Sequence, residues 1–244
     1  MTEAPADPRD IAFVVYPGLT LLDLVGPLQA LSLLPVLGHP FETVTVGETL
    51  DPVETDVALT ISPNRTFDDV PQPSVLVVPG GAAPTMRALG NDRLVEYVRT
   101  AARSADTVAS VCTGSLILAA AGILTDQDAT THWSCAPQLE RLGARYVPER
   151  WVERGNVIAS AGVSAGIDMA LHLAARLAGE AAARQIQLIL EYDPKPPFGA
   201  IEWDRVDRRA MDPVVDRWIR EGLASRPDLI ATLSGTPAGA NTRA

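Results

Sequence analysis

The stretch Thr107 to Thr125, TVASVCTGSLILAAAGILT, runs 19 residues without a charged side chain. That length reaches a membrane span, yet its parts differ in kind. Thr107–Val111 is β-rich, Cys112-Thr113-Gly114-Ser115 is a polar break, and an Ala/Leu-rich segment that favours helix follows. A buried strand turning into a buried helix accounts for all three parts, whereas a span leaves the polar break unexplained.

Outward from this pair the pattern repeats. Ile11–Tyr16 is apolar and β-branched and stops at Pro17-Gly18; Leu22–Leu34 reads as a helix; Glu42–Val46 reads as a strand, with short segments around Val57–Ile61. Ser74–Val78 is a continuous apolar strand ending at Pro79-Gly80-Gly81, and Asp92–Arg103 has helical apolar spacing. Beyond the central pair come a short strand at Thr130–Trp133, a helix at Ala136–Leu142 and a hairpin over Tyr146–Ile158 turning at Arg154-Gly155-Asn156. Helices are expected over Gly166–Leu190 and Asp212–Ala224. Strands apolar on both faces and alternating with helices imply an α/β fold, a doubly wound, mostly parallel sheet with helices on both faces. No repeat or long linker divides the chain. One domain is expected over residues 1–233, with a disordered tail over residues 234–244.

Composition narrows the function. Thirty acidic against 20 basic residues give a net charge of -10, with no clustered Lys/Arg stripe to track phosphates, so nucleic acid is not an expected partner. Two cysteines make no disulfide framework, and MTEAPADPRD lacks the basic start of a signal peptide. A cytoplasmic protein with reduced thiols, and no membrane partner, is expected. GxGxxG, GxxxxGK[ST] and CxxC are all absent, which leaves a nucleotide cradle unsupported. His132-x-x-Cys135 is half of a zinc pattern, but His39 and His172 sit in unrelated contexts, so no metal is expected. No serine lies in a G-x-S-x-G frame.

Cys112 stands where the strand meets the helix, the position of a nucleophile elbow. Such a turn lifts a side chain off the carboxyl edge of a sheet and aims helix N–H groups at it, which favours thiolate. A buried cysteine acting as a small hydrophobe fits the same position.

Ser110-Val111-Cys112-Thr113-Gly114-Ser115, Pro79-Gly80-Gly81 and Leu22-Asp23-Leu24-Val25-Gly26-Pro27 together resemble the ThiJ/PfpI (class I glutamine amidotransferase-like) superfamily. Within it, Ala129-Thr130-Thr131-His132-Trp133, Ala165-Gly166-Ile167-Asp168 and Leu190–Phe198 are most similar to the isocyanide hydratase branch, in order from about Ile11 to Phe198. AraC-type regulators share the Leu22–Pro27 and Ala129–Trp133 patterns. The resemblance implies a flavodoxin-like fold with a cysteine elbow, a cofactor-free homodimeric lyase, and hydration of a small-molecule isocyanide to an N-substituted formamide through a cysteine thioimidate.

By the same resemblance Cys112 is the nucleophile and Asp23 its acid–base partner. Read from position alone, Asp23 is sooner a helix-start residue satisfying N–H groups, and only the resemblance reverses that reading. A carboxylate beside a thiolate cannot leave both pKa values unchanged, so one shared proton is expected, held by Asp23 against the sulfur. The backbone N–H groups of Thr113 and Gly81 are implied to face the reaction centre, with the Thr113 hydroxyl in reach of Asp23. Gly162, Val163 and His132 are expected around the nucleophile without reacting, and Asp168 and Glu191 as solvated or capping residues.

Some positions depart from the family pattern. Ser110 stands where many such elbows have Gly, Val163 where a larger Ile is usual, and GAIEWDRVD after Phe198 lacks the usual Gly-Ser-Pro turn, which bears on the dimer contact. Two alternatives use the same fold: a non-catalytic ligand sensor, and a glyoxalase-like or redox-responsive protein, for which Glu is the more usual acid.

Overall fold

A computed structural model describes residues 8–235. Along the chain run β1 (Arg9–Val14), α1 (Leu21–Leu31), α2 (Leu33–Val36), β2 (Phe41–Gly47), β3 (Val53–Glu54), β4 (Thr60–Ile61), β5 (Arg65–Thr66), β6 (Val75–Val78), α3 (Ala83–Leu89), α4 (Asp92–Ser104), β7 (Thr107–Val111) and α5 (Gly114–Ala120). After them come β8 (Asp128–Ala129), α6 (Ala136–Arg141), β9 (Arg145–Tyr146), β10 (Trp151–Arg154), β11 (Val157–Ser160), α7 (Ala165–Ala178), α8 (Glu180–Ile189), α9 (Asp212–Gly222) and α10 (Pro227–Ser234).

The sheet has seven strands in the order β10-β11-β7-β6-β1-β2-β5, parallel throughout except where β10 returns antiparallel to β11. β6 and β7 are buried along their whole length, as apolar strands flanked by helices on both faces must be. α1 and α7 pack together on one side with α2 and α8; α3, α4 and α5 pack on the other, with α6 and α9 outside them. The expected doubly wound architecture is therefore the observed one.

Register decides where chemistry can occur. Val78 pairs with Ser110, and Val111 with Ser160, so β6, β7 and β11 end level with one another. The segments that follow each strand crowd one edge of the sheet. Two glycines let α1 and α7 close over β7 there. A Cβ at Gly166 would lie 2.9 Å from Val111 Cγ1, and one at Gly26 would lie 3.0 Å from Ile167 Cγ1.

Several expected elements differ. Thr130–Trp133 is not a strand: the pairing lies earlier, at Asp128–Ala129, and Trp133–Cys135 is a 3-10 turn. The Thr131 hydroxyl donates to the Cys112 carbonyl and His132 Nδ1 accepts the Ser134 N–H, so tertiary bonds override β propensity. The Trp151–Ser160 hairpin forms, but Tyr146 instead joins β9 beside β8. Leu22–Leu34 breaks at Ser32, where Pro35 has no N–H to continue the ladder. Gly166–Leu190 splits at Gly179. α3 and α10 were not expected, each having Pro in its first turn. Ser234, expected to open a tail, is the last residue of α10; residues 236–244 lie outside the described residues. No helix of the described residues is long and apolar enough to cross a membrane.

Candidate active site

Cys112 follows β7 with φ +57, a left-handed backbone that costs a non-glycine residue about 1–2 kcal/mol. Neighbouring chain holds it there. Its N–H donates to the carbonyls of Ser160 and Ala161, at 3.1 and 3.2 Å, and its own carbonyl accepts the hydroxyls of Ser115 and Thr131. The turn also requires Gly114, since a Cβ there would sit 2.1 Å from the Val78 carbonyl oxygen.

Asp23 reaches the same point from the first turn of α1 and is wholly buried. Gly80 N–H donates to its Oδ2 at 3.1 Å, while Oδ1 has no aligned partner. The Cys112 thiol is near enough to Asp23 for each to shift the other's ionisation. Burial raises Asp23 to about 7, against the opposing pull of Cys112 and the Gly80 N–H; the charge of Asp56 raises it further. Burial likewise pushes the Cys112 thiol well above its ordinary range, aided by Asp23 and only partly offset by the Thr113 N–H aimed at the sulfur.

Burial thus works against the thiolate that the elbow geometry favours. A cysteine only 5% exposed loses more by desolvation than one N–H restores.

Thr113 Oγ1 lies 2.8 Å from Thr85 Oγ1, which lies 3.1 Å from Tyr16 Oη, and Tyr16 donates to the Pro79 carbonyl at 3.0 Å. All three side chains are buried. Thr113 Oγ1 also accepts the Gly81 N–H at 3.1 Å and the Ala82 N–H at 3.3 Å.

A model of the DJ-1/PfpI family matches residues 9–176, most of the chain and all the residues just described. The chain belongs to the DJ-1/PfpI family. It is 40% identical over 204 residues to the isonitrile hydratase of Pseudomonas putida, covering 83% of this chain and 86% of that protein. The crystal structure of a THiJ/PfpI family protein from Pseudomonas syringae superposes with a TM-score of 0.78 and 36% identity, covering 96% of this chain and 94% of that one. An HTH-type transcriptional regulator of Pseudomonas aeruginosa is 27% identical over 77% of this chain and 52% of its own length.

Of the residues expected from sequence, this DJ-1/PfpI fold brings Cys112, Asp23 and Thr113 together. Gly81 does not meet the expectation, because its N–H is engaged by Thr113 Oγ1; Gly80 supplies the donor to the acid instead. Thr113's hydroxyl turns to Thr85, not to Asp23. Gly162 packs under the His132 imidazole so tightly that a Cβ would fall 2.2 Å from Cδ2. His132 Nδ1 is engaged by Ser134 and burial lowers its pKa, so the ring is held neutral and packed. Val163 is half-buried against the core. Asp168 is neither solvated nor a cap: it pairs with Arg150 and accepts the Tyr192 hydroxyl at 3.0 Å. Among the described residues no three of His, Cys, Asp and Glu gather in a way that could hold a metal ion. Sequence reasoning missed Gly80, Thr85 and Tyr16. Gly80 had a signal in the Gly-Gly pair, but Thr85 sits on an unexpected helix and Tyr16 read only as the end of a strand.

Proposed function

We propose that this protein is an isocyanide hydratase, adding water to a small isocyanide to give an N-substituted formamide. The observation that carries the reading is the buried pair of Cys112 and Asp23, whose carboxyl titrates near neutrality, where a general acid–base is most effective. The likeness to an isonitrile hydratase over 83% of the chain supports the substrate class, isonitrile being the same functional group.

The terminal carbon of an isocyanide is electrophilic and also carries a lone pair. As substrate binds, the Cys112 S–H proton passes to the Asp23 carboxylate and sulfur forms the C–S bond. The carbon lone pair takes that proton from Asp23, leaving a thioimidate, S–CH=N–R. Water then adds to the same carbon, its proton going to Asp23 and from there to nitrogen. Collapse of this adduct sends the hydroxyl proton to Asp23, breaks the C–S bond and releases the formamide, and Asp23 returns the proton to sulfur. Atoms and protons balance with substrate, one water and two side chains, and no cofactor takes part. The Thr113 N–H steadies negative charge on sulfur at each end of the cycle. Two free cysteines, one of them the nucleophile, suit the reducing cytoplasm. The protein acts as a homodimer with no nucleic-acid or membrane partner.

The test is turnover of a simple alkyl isocyanide, followed by formamide release and by mass spectrometry of the protein. Cys112→Ala is expected to abolish turnover and the transient adduct; Asp23→Asn is expected to lower kcat by about 10²–10⁴-fold. In the wild type kcat/KM is expected to fall as pH drops through about 7, as Asp23 becomes protonated. Near-normal turnover by either variant, or methylglyoxal consumption without isocyanide hydration, would overturn the reading.

A further inference from the structure

Tyr16, Thr85 and Thr113 form a chain of buried hydroxyls whose direction follows from counting hydrogens. Pro79's carbonyl can only accept, so Tyr16 uses its one hydrogen there. Thr85 must therefore donate to Tyr16 Oη across 3.1 Å, and Thr113 must donate to Thr85 Oγ1 across 2.8 Å. With its hydrogen committed, Thr113 Oγ1 is left to accept the Gly81 and Ala82 N–H groups. The last hydroxyl of the chain thus has its hydrogen turned away from the acid.

The acid is close by. A Cβ built on Gly80 would lie 2.6 Å from Thr113 Oγ1 and 2.9 Å from Asp23 Oδ2, so the two oxygens border one small space. Resting on the hydratase reading, we propose that Tyr16 and Thr85 are positioning residues that keep the Thr113 hydroxyl from donating to Asp23, leaving the acid with a single N–H donor. They touch no substrate and act only through Thr113. A second donor would stabilise the carboxylate and make Asp23 a weaker base toward the thiol and toward water. The other ionisable groups facing this point are Cys112 from the β7–α5 turn, Asp56 from the β3–β4 turn and Tyr16 itself; Cys135 faces Cys112. Asp56 and Cys112 are unchanged in the variants below.

The test reads Asp23 directly, by infrared titration of its carboxyl band, assigned by the band's loss in Asp23→Asn. Tyr16→Phe removes one oxygen and little volume; Thr85→Val removes the acceptor for Thr113. Each is expected to lower the titration midpoint of Asp23 by about one unit, and to move the acidic limb of kcat/KM by the same amount. Thr85→Ser keeps the hydroxyl and is expected to keep the wild-type midpoint. Adding Thr113→Val to Tyr16→Phe removes the hydroxyl that reaches Asp23 and is expected to restore it. Unchanged midpoints in both single variants, or a shift that persists in the Tyr16→Phe/Thr113→Val double variant, would overturn the assignment. Because the carboxyl band is read without substrate, absence of hydratase activity would count against the proposed reaction and leave this result standing.

Discussion

A carboxyl group raised from its ordinary range to about 7 ties the site to the stability of the whole fold. In the unfolded chain Asp23 ionises near 3.9, so between about pH 4 and 7 the folded state holds a proton that the unfolded state has lost. Stability from this group is therefore complete below about pH 4 and drains away as pH rises through 7, by roughly 4 kcal/mol in total. Asp23→Asn removes the titration. In urea unfolding at about pH 5 and about pH 8, the variant is expected to gain on the wild type by several kcal/mol on moving to the higher pH; a constant difference would show that Asp23 ionises as easily folded as unfolded. The raised thiol of Cys112 acts above this window, since its own unfolded value is already near 8.5. At this scale Cys112 was legible because an uncharged run with a polar break marks an elbow. Asp23 was legible only through resemblance, its position alone favouring a helix-start residue. The hydroxyls of Tyr16 and Thr85 were not legible, because their partners lie 63, 69 and 28 residues away in sequence.

Helices and strands were legible wherever burial enforced a period, and illegible where one residue's backbone decided. β6 and β7 are apolar on both faces and could be read directly, while the break between α7 and α8 lies in a continuous run of helix formers interrupted by one glycine. Gly179 has φ +89 and ψ 159, a conformation open essentially to glycine alone. A Cβ there would meet no atom within 4 Å. Gly179→Ala thus isolates backbone strain from packing and is expected to destabilise the fold by about 1–3 kcal/mol, read as a lower Tm, with KM for the isocyanide unchanged. An unchanged Tm would mean that α7 and α8 can join by another route. The α3 helix escaped notice for a related reason: Gly80-Gly81 and Pro84 punctuate its approach, and Ala82, at φ +49, turns the chain sharply into it.

For the molecule as a whole, the unsettled surface lies after α7. Leu188 and Ile189 on α8 are 76% and 53% exposed, and Phe198, Ile201 and Trp203 on the segment that follows are 98%, 62% and 43% exposed. Between α8 and α9 the only regular structure is a 3-10 turn at Trp203–Arg205. Such apolar surface along one stretch suits an interaction site, and the homodimer proposed above would supply a partner for it in a second copy of the chain. Net charge fixes how that association should respond to salt. Each copy carries -10, so two copies repel, and the repulsion weakens as the screening length falls from about 30 Å at 0.01 M to about 8 Å at 0.15 M. An interface held by apolar contact against like charge tightens with salt, whereas one held by ion pairs loosens. Sedimentation equilibrium is expected to give a dimer of 25.9 kDa chains whose dissociation constant falls across that range of ionic strength, and Phe198→Glu with Ile201→Glu is expected to raise it at every salt concentration. A monomer throughout would remove the dimer, and a dimer untouched by the double substitution would move its contact elsewhere on the surface.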